Sequence, residues 1–257
     1  MRFLCLHGRG TNSDIFERHL MTICSRISPQ HTFDFIDAQF ESPAAPGISQ
    51  LYPPPYLSWH NKYEPENVRL VHDYVTSIIE EDGPYDGVIG FSEGAALAAS
   101  FLLSRSAFQK DPLFKVAIFF NSVMIISPSE QVGVYMGCEM HQQGEKHKNF
   151  MLGLDDKTSS SHSSLDSHSE ESGVVGPFPR IFGFPPDRFQ GRISIPTLHV
   201  IAADDDFEEH ARTLVELCDP AKAEVLVIEG GHELPRAEAA QNKCAELIEL
   251  IIAMASF

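Results

Sequence analysis

One segment constrains the fold more than any other stretch of this 257-residue chain: Val88-Ile89-Gly90-Phe91-Ser92-Glu93-Gly94-Ala95-Ala96-Leu97. It begins as an apolar run and ends as a helix-like run rich in alanine and leucine. Between these runs, the glycines and Ser92 fit the G-x-S-x-G pattern of a sharp strand-to-helix turn, in which the glycines leave room for close backbone approach. Such a turn strains the backbone at Ser92 and projects its hydroxyl outward. The segment therefore predicts an α/β sheet with a nucleophilic serine at the end of one strand.

Five further apolar runs have the length of buried strands, and stretches of helical period lie between them. The strands are predicted at Arg2–Leu6, Thr32–Asp37, Lys115–Asn121, Thr197–Ala203 and Glu224–Glu229. Helices are predicted after a cap at Ser13 or Asp14, over Glu66–Glu81, after Gly94, over Glu208–Leu217 and over Arg236–Met254. This alternation is typical of a mainly parallel sheet with helices on both faces. We predict fold class α/β: one α/β-hydrolase domain over residues 1–257 with a six-stranded sheet.

A serine nucleophile needs a base, and the base needs a carboxylate that orients it. In α/β-hydrolases the order along the chain is serine, acid, histidine, and loops at the carboxyl ends of parallel strands share one edge of the sheet. Asp204, Asp205 and Asp206 follow one late strand, and His232 follows the last strand on a Gly-Gly turn. We predict His232 as the base and Asp205 as the acid, with Asp204 as the second choice. The two remaining aspartates are expected to face solvent or a backbone donor, because crowded carboxylates repel one another.

The negative oxygen that forms during acyl transfer needs fixed hydrogen-bond donors. In this class of site they are the backbone N–H after the nucleophile and one from the loop after an early strand. These are the N–H groups of Glu93 and of Arg9, with Gly10 as the alternate to Arg9; their side chains are not required. His7 is expected to fix this loop by a hydrogen bond.

Residues 122–192 interrupt the alternation of strands and helices, and 144–176 is polar and serine-rich, which is typical of a loop or disordered segment. Apolar residues flank this polar part, among them Met136 and Phe182. Either the stretch is a surface insertion, or it is a lid whose apolar flanks line an acyl pocket. Phe182 is a candidate substrate contact, and so is Trp59, which ends a long proline-rich loop.

Composition argues against several classes of function. A formal net charge of −17 disfavours binding to nucleic acid or to anionic membranes. The longest apolar run is shorter than the roughly 18 residues of a membrane span, and the start of the chain does not read as a secretory leader. The five cysteines form no C-x-x-C pair, which favours reduced thiols in a cytoplasmic protein. We expect no metal and no cofactor, since the histidines of the polar stretch lack metal-ligand spacing.

Five features occur together along most of the chain: Leu6-His7-Gly8, Trp59 after the proline-rich loop, Gly90–Ala95, Asp204–Asp206 and Gly231-His232. Together they resemble the family of serine hydrolases that includes the ovarian-tumour-suppressor-like hydrolases. Within that family the chain is similar to fungal thioesterases encoded beside polyketide synthases.

Two positions depart from the family pattern. Many members have glutamine after the nucleophile, where this chain has Glu93, and we expect a carboxylate at the rim of the site that repels anionic substrates. The glycine of the family's G-x-x-D pattern is Ala202 here, and counting three residues onward gives Asp205.

These features predict a serine hydrolase that cleaves an acyl ester or thioester through an acyl-enzyme. The resemblance implies a polyketide-type acyl group, either free or presented on an acyl carrier domain as partner. Carrier domains are usually acidic, so docking of one on this acidic chain needs a local basic patch, which Arg180, Arg188 and Arg192 could supply. The alternatives are an acyltransferase or cyclase, a small-ester carboxylesterase without a carrier partner, or a binding module on the same fold.

Overall fold

A computed structural model of the chain describes residues 1–136 and 180–256. The main sheet contains β1 (Arg2–Leu6), β2 (Thr32–Ile36), β5 (Gly87–Phe91), β6 (Val116–Phe120), β9 (Thr197–Ala202) and β10 (Ala223–Ile228). Two short antiparallel pairs flank it: β3 (Phe40–Glu41) with β4 (Leu57–Ser58), and β7 (Val134–Tyr135) with β8 (Phe182–Gly183). The α-helices of the described residues are α1 (Ser13–Cys24), α2 (Pro65–Asp82), α3 (Glu93–Ala107), α4 (Glu208–Glu216) and α5 (Glu238–Met254).

The six strands of the main sheet are all parallel and run in the order β10-β9-β6-β5-β1-β2. Their registers pair residues at or within two positions of the strand ends: Phe91 with Phe120, Phe120 with Val200, and Ala202 with Ile228. The loops that follow β5, β6, β9 and β10 therefore leave the sheet at one edge. This alignment brings Ser92, the three aspartates and His232 to the same side of the molecule.

Helices cover both faces of the sheet, as predicted. One apolar cluster joins residues of α1 and α5 to one face, and a second joins residues of α2, α3 and α4 to the other. Helix α3 is buried along nearly its whole length, from Glu93 to Ser104, because it packs directly beneath the central strands β5, β6 and β1. The four cysteines among the described residues, Cys5, Cys24, Cys218 and Cys244, are buried and free.

Two details differ from the sequence predictions. Asn12, rather than Ser13 or Asp14, caps α1, because its Oδ1 accepts the N–H of Ile15 at 2.9 Å. The proline-rich loop is not wholly irregular, since β3 and β4 pair within it. The polar stretch 144–176 and most of the predicted lid lie outside the described residues.

Candidate active site

Ser92 occupies a strained turn between β5 and α3. Its φ of 55° and ψ of −117° fall in a region that L-residues rarely adopt, and its N–H donates to the carbonyl of Phe120 at 2.9 Å. The flanking glycines allow this geometry. A Cβ at Gly90 would lie 2.5 Å from the backbone N of Ala95, and one at Gly94 would lie 2.2 Å from the carbonyl oxygen of Leu6.

Ser92, His232 and Asp205 form a hydrogen-bonded row. The Oγ of Ser92 lies 2.7 Å from Nε2 of His232, and Nδ1 of His232 lies 2.7 Å from Oδ2 of Asp205. The carboxylate accepts only, so Nδ1 carries the proton and Nε2 is left to accept from the serine hydroxyl. This tautomer is the one that can remove a proton from Ser92.

The three consecutive aspartates have different surroundings. The side chain of Asp205 is 1% exposed, and its second oxygen accepts the N–H of Phe207 at 2.9 Å. Asp204 is exposed and accepts the N–H of Gly230 at 3.3 Å, while Asp206 is exposed. The carboxylate that contacts His232 is therefore Asp205, the residue placed by the G-x-x-D spacing.

Two aromatic rings enclose the imidazole of His232. The ring of Phe91 lies 5.2 Å from it in a tilted arrangement, and that of Phe207 lies 5.1 Å away, edge to face. Such contacts restrict the rotation of the imidazole. Phe207 follows the aspartates directly before α4, and no pattern in the sequence indicated its role.

A buried amide joins the loops of the acid and the base. Asn121 follows β6 with a φ of 44°, accepts the N–H of Ala202 at 2.8 Å, and donates to the carbonyl of Glu233 at 2.7 Å. Sequence reasoning missed this residue. The only signal was a polar residue at the end of an otherwise apolar strand.

The loop after β1 lies against the serine turn. A Cβ at Gly8 would lie 2.7 Å from the ring of Phe91 and 3.2 Å from Cβ of Ser92. His7 fixes this loop as predicted: its Nε2 accepts the N–H of Ala38 at 3.0 Å, and its Nδ1 donates to the carbonyl of Gly8 at 2.8 Å. Burial lowers the pKa of His7, in keeping with this neutral form.

The Gly10 alternate for the oxyanion donor is disfavoured. Its N–H already donates to the carbonyl of Leu57 at 2.8 Å, and its φ of 71° serves the turn itself. Arg9, beside Gly8, remains the candidate on this loop. Glu93 is the first residue of α3, where backbone N–H groups lack partners within the helix.

The carboxylate of Glu93 is not at the rim of the site, and that expectation is wrong. Glu93 is 3% exposed and turns inward beneath the serine turn. Its oxygens accept the N–H of Trp59 at 2.9 Å and the hydroxyl of Ser58 at 3.0 Å. The carboxylate is thus enclosed by donors from the end of β4 and from the residue that follows it.

Trp59 and Phe182, the two predicted substrate contacts, lie away from the cavity described in the next paragraph. Trp59 is 1% exposed, and its indole N–H donates to the carbonyl of His7 at 2.8 Å, so it packs inside the protein and supports the loop after β1. Phe182 lies on β8 with its ring 5.7 Å from that of Tyr135. Neither residue lines that cavity.

A cavity of about 250 Å³, apolar on one side, is connected to His232 through the rings of Phe207 and His210. The ring of Phe207 contacts His232 on one side and lies 6.4 Å from His210 on the other, and His210 lines the cavity. The apolar lining comes from the segment after β6 and from the two described flanks of residues 122–192: Met124, Ile125, Met136, Phe184, Pro185 and Pro186. Met124 also lines a smaller cavity of about 10 Å³ beside Glu93.

Each of the three arginines considered as a basic patch contacts a carboxylate or a backbone carbonyl. Arg180 is paired with Glu66 and Glu130, and Arg188 lies 3.6 Å from the carboxylate of Asp187. Arg192 donates to the carbonyls of Glu216 and Cys218 at 3.1 and 3.2 Å. Each guanidinium therefore already has a partner within the chain.

Over residues 1–136 and 180–256, no cluster of three or more His, Cys, Asp or Glu side chains is arranged to hold a metal ion. None of the helices in this part of the chain is long and apolar enough to cross a membrane.

The parallel sheet, the serine turn and the loops at one sheet edge define the class of protein as an α/β-hydrolase. The chain belongs to the family described as serine hydrolase (FSH1), whose model matches residues 1–244. The resemblance noted in the sequence is thereby confirmed, and the protein is an enzyme of the serine hydrolase type.

Similar proteins include esterases and hydrolases of fungi. Esterase alnB of Emericella nidulans is 27% identical over 92% of this chain and 91% of its own length. Hydrolase FUB4 of Fusarium oxysporum f. sp. lycopersici is 27% identical over 96% of this chain and 97% of its own length.

Solved structures share the fold. The monoacylglycerol lipase of Paleococcus ferrophilus superposes with a TM-score of 0.54 at 13% identity, covering 99% of this chain and 94% of its own. The carboxylesterase of Bacillus cereus gives a TM-score of 0.52 at 13% identity, covering 97% and 87%. The predicted α/β-hydrolase fold is confirmed.

Proposed function

We propose that the protein cleaves acyl esters or thioesters through a covalent acyl-enzyme on Ser92, with His232 as general base and Asp205 as the orienting acid. The observation that carries this proposal is the row of two 2.7 Å hydrogen bonds from Ser92 through His232 to Asp205. The strained backbone at Ser92 supports it, since such strain is retained where the surrounding structure imposes it for function.

In the proposed reaction, Nε2 of His232 takes the hydroxyl proton as Oγ of Ser92 attacks the acyl carbonyl. The N–H groups of Glu93 and Arg9 bind the resulting oxyanion. The carbon–oxygen or carbon–sulfur bond then breaks, and the leaving group takes the proton from His232 as it departs. Water attacks the acyl-enzyme and gives a proton to His232. The bond between Oγ of Ser92 and the acyl carbon then breaks, Oγ takes that proton from His232, and the acid is released.

The acyl group is proposed to be apolar. The cavity of about 250 Å³ beside His210 is lined on one side by methionine, isoleucine, phenylalanine and proline side chains and on the other by Arg188, Glu209, His210 and Thr213. Its apolar side favours an apolar ligand. A thioester is a suitable substrate because thiols ionise near pH 8 to 9 and leave with little help from an acid. The names of the relatives, esterase and hydrolase, favour acyl hydrolysis without naming the acyl group.

The biological role proposed is release or trimming of a polyketide-type product in secondary metabolism. It rests on the resemblance to fungal thioesterases encoded beside polyketide synthases. The engaged arginines and the net charge of −17 favour a free small-molecule acyl substrate over one delivered by an acidic carrier domain.

A serine-reactive fluorophosphonate and a panel of thioesters test the proposal. We expect wild-type protein to be labelled at Ser92, and Ser92→Ala to lose both labelling and turnover. Mass spectrometry of Ser92 should capture the acyl-enzyme, and its yield across the panel should identify the preferred acyl chain. Turnover of the Ser92→Ala variant near the wild-type rate would overturn the proposal.

The same panel separates the possible roles. Products formed in water alone and with an added alcohol distinguish a hydrolase from an acyltransferase. Cleavage of free thioesters with no cleavage of carrier-bound ones would exclude a carrier-dependent role and retain the hydrolase.

A further inference from the structure

The two residues whose N–H groups are proposed to bind the oxyanion also meet through their side chains. Arg9 lies on the loop after β1, and Glu93 begins α3, so their backbones come from separate parts of the chain. Beneath the site, Nη1 of Arg9 lies 3.7 Å from Oε1 of Glu93. Both side chains are largely buried, with 15% and 4% of their surface exposed.

Ser58 bridges the pair. Its hydroxyl accepts from Nη1 of Arg9 at 3.1 Å and lies 3.0 Å from both oxygens of Glu93. The same oxygen lies 2.8 Å from the carbonyl of His60, but a hydroxyl has one proton to give. The carboxylate is the stronger acceptor because it is charged, so the proton of Ser58 goes to Glu93. Nη1 of Arg9 donates to the hydroxyl oxygens of Ser58 and Tyr63, the latter at 3.0 Å, and lies 3.3 Å from the carbonyl of His60.

Glu93 also holds the backbone of the segment that Ser58 begins. Its Oε2 accepts the N–H of Trp59 at 2.9 Å, and its Oε1 accepts the N–H of His60 at 3.3 Å. The Nδ1 of His60 lies 3.4 Å from the same oxygen. One carboxylate therefore contacts three consecutive residues of one loop and the guanidinium of another.

The carboxylate is ionised in this setting. Burial acts to raise the pKa of Glu93, but the hydrogen bond and charge of His60, the charge of Arg9 and the N–H of Trp59 outweigh it, and the pKa falls below its ordinary value. A buried ion pair is weak evidence for stability, because desolvation offsets the attraction. Its geometric role is better supported here, since every contact joins the start of α3 to a loop.

We propose that the side chain of Glu93 is a positioning residue for the oxyanion hole. Through Arg9 and Ser58 it fixes the loop after β1 relative to the start of α3, so that the two N–H donors stay aimed at one point. This inference rests on the proposed function. It adds that the side chains of Arg9 and Glu93, which the pattern of the site does not require, set the spacing of the donors.

The test compares Glu93→Gln and Ser58→Ala with wild type in hydrolysis of a p-nitrophenyl ester. Glu93→Gln keeps the shape of the side chain but removes the charge that faces Arg9. Because loss of one oxyanion donor costs about 10²- to 10³-fold in kcat, we expect displacement of the donors to cost about 10-fold or more, with KM changed by less than about threefold. Ser58→Ala keeps both charges and should lose less, in the same direction.

A boronic acid provides a readout that a purely structural role would not move. It forms a tetrahedral adduct with the serine that places an oxygen in the oxyanion hole, so its affinity should fall in parallel with kcat/KM. The pH dependence of kcat/KM should keep its midpoint, because the contact of His232 with Asp205 is untouched. The double variant Lys243→Gln/Glu246→Gln, which removes an exposed ion pair on α5, is the matched control and should match wild type.

The second variant keeps the inference testable if the first one folds poorly. If Glu93→Gln does not fold, Ser58→Ala alone decides by the same readouts. The inference is overturned if the variants melt at lower temperature while the folded enzyme keeps kcat and boronate affinity within about twofold of wild type. That result would leave the proposed function intact, because the Ser92→Ala experiment tests it separately.

Discussion

The side-chain amide of Asn121 donates to the carbonyl oxygen of Glu233 at 2.7 Å, across 112 residues of chain. Its oxygen accepts the N–H of Ala202 at 2.8 Å. Ala202 ends the strand that leads to Asp205, and Glu233 directly follows His232. One side chain thus sets the separation of the loops that carry the proposed acid and base.

Replacing Asn121 with alanine should lower kcat about tenfold and the free energy of unfolding by about 1–3 kcal/mol, because two buried backbone groups lose their partner. Steady-state kinetics and urea unfolding measure these effects. Asn121→Gly separates the amide from the strained φ of 44°, because glycine tolerates that φ; full activity in Asn121→Gly would contradict a role for the amide.

Asp205→Asn should lower kcat by about 10³- to 10⁴-fold, since an amide favours the wrong tautomer of the imidazole. Asp204→Asn is the matched control. Its carboxylate is exposed and accepts only a 3.3 Å bond from Gly230, so activity should stay within about threefold of wild type. Equal losses in both variants would refute the assignment of the acid.

Gly94→Ala should cost about 2–4 kcal/mol of folding free energy and most of the activity. The added methyl would lie 2.2 Å from the carbonyl oxygen of Leu6 and 2.6 Å from that of His7, so α3 must move away from β1. Gly231→Ala serves as the stability control, since a Cβ there meets no atom within 4 Å. Thermal unfolding compares the two, and similar melting temperatures would count against the close approach.

Two buried histidines predict a loss of stability in acid. Burial lowers the pKa of His72 and of His199 from 6.5 to about 3. Below pH 6.5 the unfolded chain binds protons that the folded chain excludes, so the free energy of unfolding falls by about 1.4 kcal/mol per pH unit for each histidine until pH approaches 3.

Replacing His199 with asparagine removes one of these groups. The decrease in unfolding free energy between pH 6.5 and 5 should then be smaller than in wild type by about 2 kcal/mol. Urea unfolding at both pH values measures the difference. Carboxylates that titrate in this range contribute equally to the unfolding free energy of both proteins, so their contribution cancels. Identical decreases would show that His199 does not carry this pH dependence.

Met124 lines both the larger cavity and the smaller one beside Glu93. Met124→Ala should enlarge the space for the acyl group and favour longer acyl chains. The ratio of kcat/KM for a longer ester to kcat/KM for a shorter one should rise by roughly tenfold. A series of p-nitrophenyl esters measures the ratio. Leu250→Ala, at an exposed position on α5, is the control, and an unchanged chain-length profile in Met124→Ala would exclude the cavity as the acyl site.

Much of the fold could be predicted because the strands are apolar and sharply bounded. The first strand, Arg2–Leu6, was placed without error, and the others shifted by two residues or fewer at each end. The residues that meet at the sheet edge could be predicted for the same reason. Ser92, Asp205 and His232 each follow a strand, and the parallel order fixes where those ends lie.

The sequence could not show which side chains cross from one loop to another. Asn121 and the carboxylate of Glu93 act on residues far away in the chain, and their roles depend on distances that periodicity does not contain. Trp59 was expected to face substrate because it ends a long loop. That loop instead pairs through β4 and binds Glu93, which draws the indole inward.

The burial of the four described cysteines affects which assay can follow turnover. Burial raises the pKa of Cys5, Cys24, Cys218 and Cys244 above that of an ordinary thiol, and a protonated, enclosed sulfur reacts poorly with disulfide reagents. A chromogenic disulfide such as Ellman's reagent can therefore be present throughout the assay. It reports each thiol that is released from a thioester substrate and does not react with these four cysteines.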